Sequence, residues 1–268
     1  MNRERMVMNL EKTLYEKRGR VGIVKLNRPS VLNAIDDQLL AELAEIFIEM
    51  GRDPDIRCVI LTGEGRKAFS AGGDIAAELS KNVLQGYDFV LGFTRLSNLI
   101  EGFKAPVIAA INGYCLGGGV EIAITCDIRM AADNAKLGSP EVELGLIPGA
   151  GGTQRLARLM GESRAKLWML SADKYTAQQC LDLGVVDIVV PADRLMEEAM
   201  TLAEKLAAKA PLAVQYIKSL VHEGLQTDLQ RALKMEGGMA AHLFSTQDKK
   251  EACTAFLEKR PHKEFVGK

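Results

Sequence analysis

The chain has 268 residues, 47% of them hydrophobic and 26% charged, with a formal net charge of −1 at pH 7. That composition belongs to a globular protein with an ample core, and the balanced charge excludes a global field that would recruit nucleic acid or a membrane surface. Five cysteines form no C-x-x-C pair, and His222, His242 and His262 all fall late and outside any metal or triad motif, which argues against a disulfide frame, a metal site and a histidine triad and leaves acid–base work to carboxylates.

Met1–Lys17 alternates charges with short apolar pairs and carries no signal-peptide core, and no apolar run reaches bilayer length. A cytoplasmic protein with reduced thiols is the expectation. Leu14–Tyr15 and Val21–Leu26 flank the polar stretch Lys17–Arg20 and predict a hairpin. Asn27–Asn33 reads as a proline-bearing loop. Asp36–Met50 sets Leu39, Leu43, Ile46, Phe47 and Met50 at helical spacing behind Asp36 as the N-cap.

One plan then recurs. Arg57–Leu79 is an apolar strand, a turn, a glycine pair and a helix; Pro106–Asp127 repeats it with VIAAI, the turn Asn112–Gly113, a triple glycine and VEIAITCD. Ile128–Thr153 is a third, weaker copy. Repeated strand–turn–helix units predict a stacked or spiral α/β architecture. After Pro191, Arg194–Ala208, Leu212–His222, Leu225–Leu243 and Asp248–Lys259 read as consecutive amphipathic helices. The division falls near Ala210–Pro211, into a core over 1–210 and a helical region over 211–268.

The glycines that follow equivalent strands can bring backbone N–H groups to one point. Two such donors, at Gly73 and Gly118, make a candidate oxyanion hole, each worth about 2.7–4 kcal/mol in a transition state. Tight turns and close packing account for the same glycines equally well. Glu121 opens an otherwise apolar helix; it can complement the helix dipole or act as a desolvated acid–base group. Glu141, with Glu143 as competitor, stands in a second glycine-bearing segment. Two glutamates at one reacting centre can share a water, one taking its proton while the other protonates carbon. Pro148–Gly152 matches neither a P-loop nor a dinucleotide fingerprint. The basic run Arg155, Arg158, Arg164 and Lys166 reads as a solvated face, with a phosphate- or RNA-binding face as the alternative.

The segments NRPSVLNAID, VILTGEGRKAFSAGGDI, VIAAINGYCLGGGVEIAITCDI, AKLGSPEVELGLIPGAGGTQRLARLMG and AFLEKRPHKEF together resemble the crotonase (enoyl-CoA hydratase/isomerase) family, from about Tyr15 to Phe265. The resemblance implies a spiral of ββα units followed by a helical trimerisation region, assembled as a trimer or a dimer of trimers. It implies an acyl-CoA thioester as substrate and no cofactor beyond the CoA that the substrate carries; no metal is expected, and the net charge and short apolar runs lead to the expectation of no nucleic acid and no membrane. Gly73 and Gly118 would hold the thioester oxygen. Glu121 and Glu141 match the two positions that are both glutamate in hydratases, which favours adding water to a 2-enoyl-CoA to give a 3-hydroxyacyl-CoA.

By the same resemblance Arg28, Ala71, Asp74, Ile75 and Ala76 would lie against CoA, with Arg28 on a phosphate. Many relatives have lysine where Ala76 stands here, so Lys259 of a neighbouring subunit is the candidate replacement. The segment Leu79–Phe103 would line or gate the acyl pocket, although most of Leu84, Tyr87, Phe89, Phe93 and Leu96 suit ordinary helix core. The alternatives are a Δ3,Δ2-enoyl-CoA isomerase, which needs one glutamate, another acyl-CoA lyase or hydrolase of the family, and an RNA-binding protein of this fold.

Overall fold

The structure is a computed structural model that describes residues 10–268; the reading of Met1–Lys17 as free of a signal segment falls mostly outside those residues. The chain opens with strands β1 (Thr13–Arg18) and β2 (Val21–Leu26), a 3-10 turn at Pro29–Val31 and helix α1 (Asp37–Arg52). The hairpin turn is narrower than its sequence suggests, because β1 runs to Arg18 and pairs with Val21. Asp36 caps α1, accepting from the Leu39 N–H at 2.9 Å, which satisfies one of the four donors a helix start leaves unpaired.

Three strand pairs follow, β3 (Cys58–Gly63) with β4 (Ala68–Ser70), β5 (Val107–Ile111) with β6 (Tyr114–Leu116), and β7 (Ile128–Ala132) with β8 (Lys136–Gly138). Between and after them lie α2 (Ile75–Glu78), α3 (Val83–Glu101), α4 (Gly118–Ala123), a 3-10 turn at Pro140–Leu144, α5 (Gly152–Met160) and α6 (Glu162–Ser171). Then come β9 (Tyr175–Thr176), α7 (Ala177–Asp182), β10 (Ile188–Val190), α8 (Leu195–Ala207), α9 (Pro211–Gly224), α10 (Leu229–Leu243) and α11 (Gln247–Leu257). The first strand of each pair joins a six-stranded sheet, ordered β1-β2-β3-β5-β7-β10, and the second joins a four-stranded sheet, β4-β6-β8-β9. Each turn of chain therefore adds one strand to both sheets, which is the spiral that the repeats predict.

The central strands of the larger sheet are buried on both faces, as parallel strands covered by helices are. Val59, Leu61, Val107, Ala109 and Ile111 face the main core under α1 and α3. Cys58, Ile60, Ile108, Ala110 and Met130 alternate to the other face, where Ala199, Ala203 and Ala207 of α8 meet them. Those alanines recur every four residues, so α8 presents a stripe without bulk and approaches the sheet closely. No helix among the described residues is long and apolar enough to cross a membrane.

Candidate active site

β5 and β6 deliver the chain to Gly117, whose φ of +53° is open to glycine without strain. Gly118 is the first residue of α4, so its N–H has no partner within the helix. The equivalent glycine pair after β4 comes alongside. Ile35 donates to the Gly72 carbonyl at 2.8 Å and accepts from the Asp74 N–H at 2.8 Å; this pins the segment on one side, and the Gly73 N–H makes no bond among the described residues. A Cβ on Gly72 would lie 3.3 Å from Gly118 N, and one on Gly118 would lie 3.6 Å from Gly73 N. The two N–H groups expected from the sequence therefore stand side by side, and the Phe93 ring closes the space next to Gly118, 2.8 Å from where a Cβ would be.

Glu121 sits one turn further along α4, with 4% of its surface exposed. Its Oε1 accepts from the Ala150 and Gly152 N–H groups, both at 2.7 Å. Burial pushes its carboxyl up to about 7; the Gly152 and Ala150 N–H groups and Arg155 oppose the rise, and the charge of Glu141 adds to it. A carboxyl poised there can carry a proton either way near neutral pH.

Glu141 is held in the 3-10 turn that Pro140 starts. A Cβ on Gly117 would lie 3.3 Å from its Oε1, so the carboxyl overhangs the glycine turn. Both oxygens are buried and neither has a hydrogen-bond partner. Burial raises its pKa against the opposing pull of its own backbone N–H, and the nearby charge of Glu78 adds to the rise. A buried acceptor without a donor favours the protonated form. Glu143, the competitor in the sequence, is exposed.

Glu78 is a site residue that the sequence reading misses. It lies at the end of α2, and its Oε1 would sit 1.8 Å from a Cβ on Gly73, so a third carboxyl leans over the candidate oxyanion hole. Burial raises its pKa, with Lys81 opposing and Asp74 adding. Only the folding of the four-residue helix α2 back over Gly73 brings it there. A glutamate five residues after the glycine pair was the one available signal.

Arg28, expected on a phosphate, has its guanidinium engaged elsewhere: Nη1 donates to the Ala34 carbonyl at 2.7 Å, and Nη2 stands 2.9 Å from Asp74 Oδ2. Against the cost of burying it, Arg28 holds Asp74 below the usual carboxylate range, and Asp74 in turn caps α2 through the Ala77 N–H. Ala71 donates its N–H to Leu32, while Ile75 and Ala76 are exposed. Lys259 is exposed just beyond α11, and its side chain makes no hydrogen bond or ion pair among the described residues. On α3, Phe89, Phe93 and Leu96 are buried core while Leu84 and Tyr87 are exposed, so the segment divides between core and surface. No cluster of potential metal ligands occurs among the described residues.

Residues 16–265 match the family model described as enoyl-CoA hydratase/isomerase. A short-chain-enoyl-CoA hydratase of Clostridium acetobutylicum is 42% identical over 97% of this chain and 100% of its own length. A crotonyl-CoA hydratase of Syntrophomonas wolfei is 41% identical over 94% of this chain and 97% of its own. The crystal structure of an enoyl-CoA hydratase from Bacillus anthracis superposes with a TM-score of 0.93, at 39% identity over 96% of this chain and all of that one.

Proposed function

The chain belongs to the enoyl-CoA hydratase/isomerase family, and from that premise we propose that it adds water reversibly across the 2,3 double bond of a 2-enoyl-CoA to give a 3-hydroxyacyl-CoA. The observation that carries this reading is the pair of glutamates whose buried carboxyls flank two adjacent backbone N–H groups. One glutamate suffices to shuttle a proton between carbons; water addition uses one carboxyl on the water and another on C2.

The thioester oxygen sits between the Gly73 and Gly118 N–H groups, which withdraw charge from C3 and stabilise the enolate oxygen as it forms. Glu121, ionised and steadied by two N–H groups, takes a proton from the water as its oxygen bonds to C3. The π electrons of the 2,3 bond move to C2 and the thioester, and C2 takes the proton of Glu141. Burial of its carboxyl keeps the proton on Glu141 until C2 needs it. After product leaves, proton exchange with solvent restores both groups; dehydration runs the steps backwards.

The CoA lies along Ala71 and Asp74–Ala76, with Arg28 acting on that edge through Asp74. Relatives named for short-chain and crotonyl thioesters support a short acyl group. The chain works as a self-associated oligomer, a trimer or dimer of trimers, with Lys259 reaching a neighbour's CoA; the uncovered apolar faces of α9 to α11 support this. Cytoplasmic degradation of fatty acyl-CoA is the setting that suits such a reaction.

Steady-state hydration of crotonyl-CoA by the Glu121→Gln variant tests the reading. A fall of several orders of magnitude is expected, since the water loses its base. Hydration at the wild-type rate would end the two-glutamate mechanism. Survival of Δ3,Δ2 isomerisation with no hydration in the wild type would favour the isomerase.

A further inference from the structure

The basic run after the glycine loop does not act as one face. Arg158, Arg164 and Lys166 are exposed, but Arg155 turns inward. Its Nε and Nη2 donate to Glu101 Oε1 and Oε2 at 2.6 and 2.8 Å, a bidentate pair with side chains only 23% and 14% exposed. Its Nη1 donates to the Ala150 carbonyl at 3.3 Å. The same guanidinium lies on Gly151, where a Cβ would come within 1.9 Å of Nη1 and where φ is +109°. No other residue type fits there without displacing the arginine.

Ala150 is thereby held on both sides. Its carbonyl accepts from Arg155, and its N–H donates to Glu121 at 2.7 Å, beside the Gly152 N–H at 2.7 Å. A continuous set of contacts runs from Glu101 at the end of α3, through Arg155 on α5 and the Ala150–Gly152 peptides, to the carboxyl of Glu121 on α4. We propose that Glu101 and Arg155 are positioning residues for the acid–base step, a clamp that fixes the Ala150–Gly152 segment so that its two N–H groups stay on Glu121. Neither needs to touch substrate. A planar fork held by two carboxylate oxygens keeps one geometry, which a lysine on its flexible stem does not.

The clamp also carries charge. α4 packs on β4, β6 and α5. β4 and β6 bring no charged side chain, α5 brings Arg155 and the exposed Arg158, and the 3-10 turn brings Glu141. Arg155 favours ionised Glu121 and Glu141 opposes it. Glu101 neutralises part of what Arg155 supplies. The two halves of the clamp therefore act on the ionisation of Glu121 with opposite sign, which damage to packing alone would not produce.

This inference rests on the hydratase reading, and its test separates the two. The pH dependence of kcat and KM for crotonyl-CoA is measured for wild type, Arg155→Gln, Arg155→Lys and Glu101→Gln. Arg155→Gln is expected to lower kcat roughly 10- to 100-fold with KM little changed, and to move the acid limb to higher pH. Arg155→Lys should restore the position of the limb but only part of kcat. Glu101→Gln should move the limb to lower pH, because Arg155 loses its counter-charge. The same shifts should appear in the 13Cδ titration of Glu121 in labelled protein, which needs no turnover. The clamp is overturned if Arg155→Gln and Glu101→Gln move the titration in the same direction, or leave it in place, or if the loss falls on KM. If the titrations shift as stated while the wild type does not hydrate crotonyl-CoA, the clamp stands and the hydratase reading falls. Should Arg155→Gln not fold, the Glu101→Gln titration alone decides by its direction.

Discussion

Glu121 is a group that folding makes harder to ionise, and that has a stability cost of known sign. Its carboxyl titrates near 7 in the folded chain against 4.5 as a free side chain, so the folded state holds the proton more tightly. The stabilisation is complete below about pH 4.5 and is lost as pH rises through 7, a difference on the order of 3 kcal/mol. Glu121→Gln keeps a carbonyl oxygen for the Ala150 and Gly152 N–H groups but never has to ionise. Thermal melts should show it more stable than wild type at pH 8 and nearly equal at pH 5; a gap that does not change with pH would refute this. In the proposed mechanism the residue that limits stability also moves the proton, which is a familiar conflict at active sites. Glu78 offers a second measurement. Its negative charge raises the pKa of Glu141, so Glu78→Gln should ease ionisation of Glu141 and bring the alkaline limb of the rate profile to lower pH. An unmoved limb would mean that Glu78 turns away once substrate binds.

The elements form where capping and periodicity agree. Asp36, Asn82, Asp228 and Thr246 each accept a backbone N–H at the start of α1, α3, α10 and α11, and those helices are readable for that reason, whereas α8 and α9 start without a side-chain cap and are read from periodicity alone. α6, β9 and β10 are hard to read in the sequence, and α7 is marked only by the capping box of Thr176 and Gln179. In α6 only Ala165 and Trp168 are buried, too sparse for a 3.6-residue period to stand out. Three half-buried residues make up β10, and pairing with β7 is what makes it a strand. The close seating of α8 is testable at this scale. Ala203 is fully buried against the sheet, and Ala203→Leu should cost about 1–3 kcal/mol by overpacking. Urea unfolding reads that directly, and an unchanged midpoint would show that α8 has slack above the sheet.

At the scale of the molecule, a buried ion pair ties α9 to the core. Lys218 on α9, its side chain 7% exposed, pairs with Asp127 at 2.8 Å and donates to the Ile100 and Ala105 carbonyls at 2.8 and 3.2 Å. Beneath α9 a cleft of about 1040 Å³ separates it from α5 and from the turn that follows α4. Neither α9 nor α10 buries a residue, and Ile217, Leu229, Phe244 and Phe256 stay exposed. An apolar surface of this extent is what an assembled oligomer covers. Ile217→Glu should therefore lower the assembly state in sedimentation equilibrium while leaving the secondary structure intact. If the wild type itself sediments as a monomer, the proposed assembly is wrong.

The sequence by itself determined the repeat of strand, turn, glycines and helix, the spiral that follows from it, and the residue types able to do chemistry. Those features are local: a period, a cap or a glycine run acts within a few residues and can be read in order. It could not say that Arg155 leaves its basic neighbours to hold Glu101, that Arg28 is taken up by Asp74, or that Glu78 folds over Gly73. Such choices depend on which partner lies within about 3 Å and on how much water reaches the group, and only the packed chain decides either. The pKa of Glu121 shows the division most clearly, since its place after three glycines is written in the sequence while burial and two N–H groups 29 and 31 residues away set its charge.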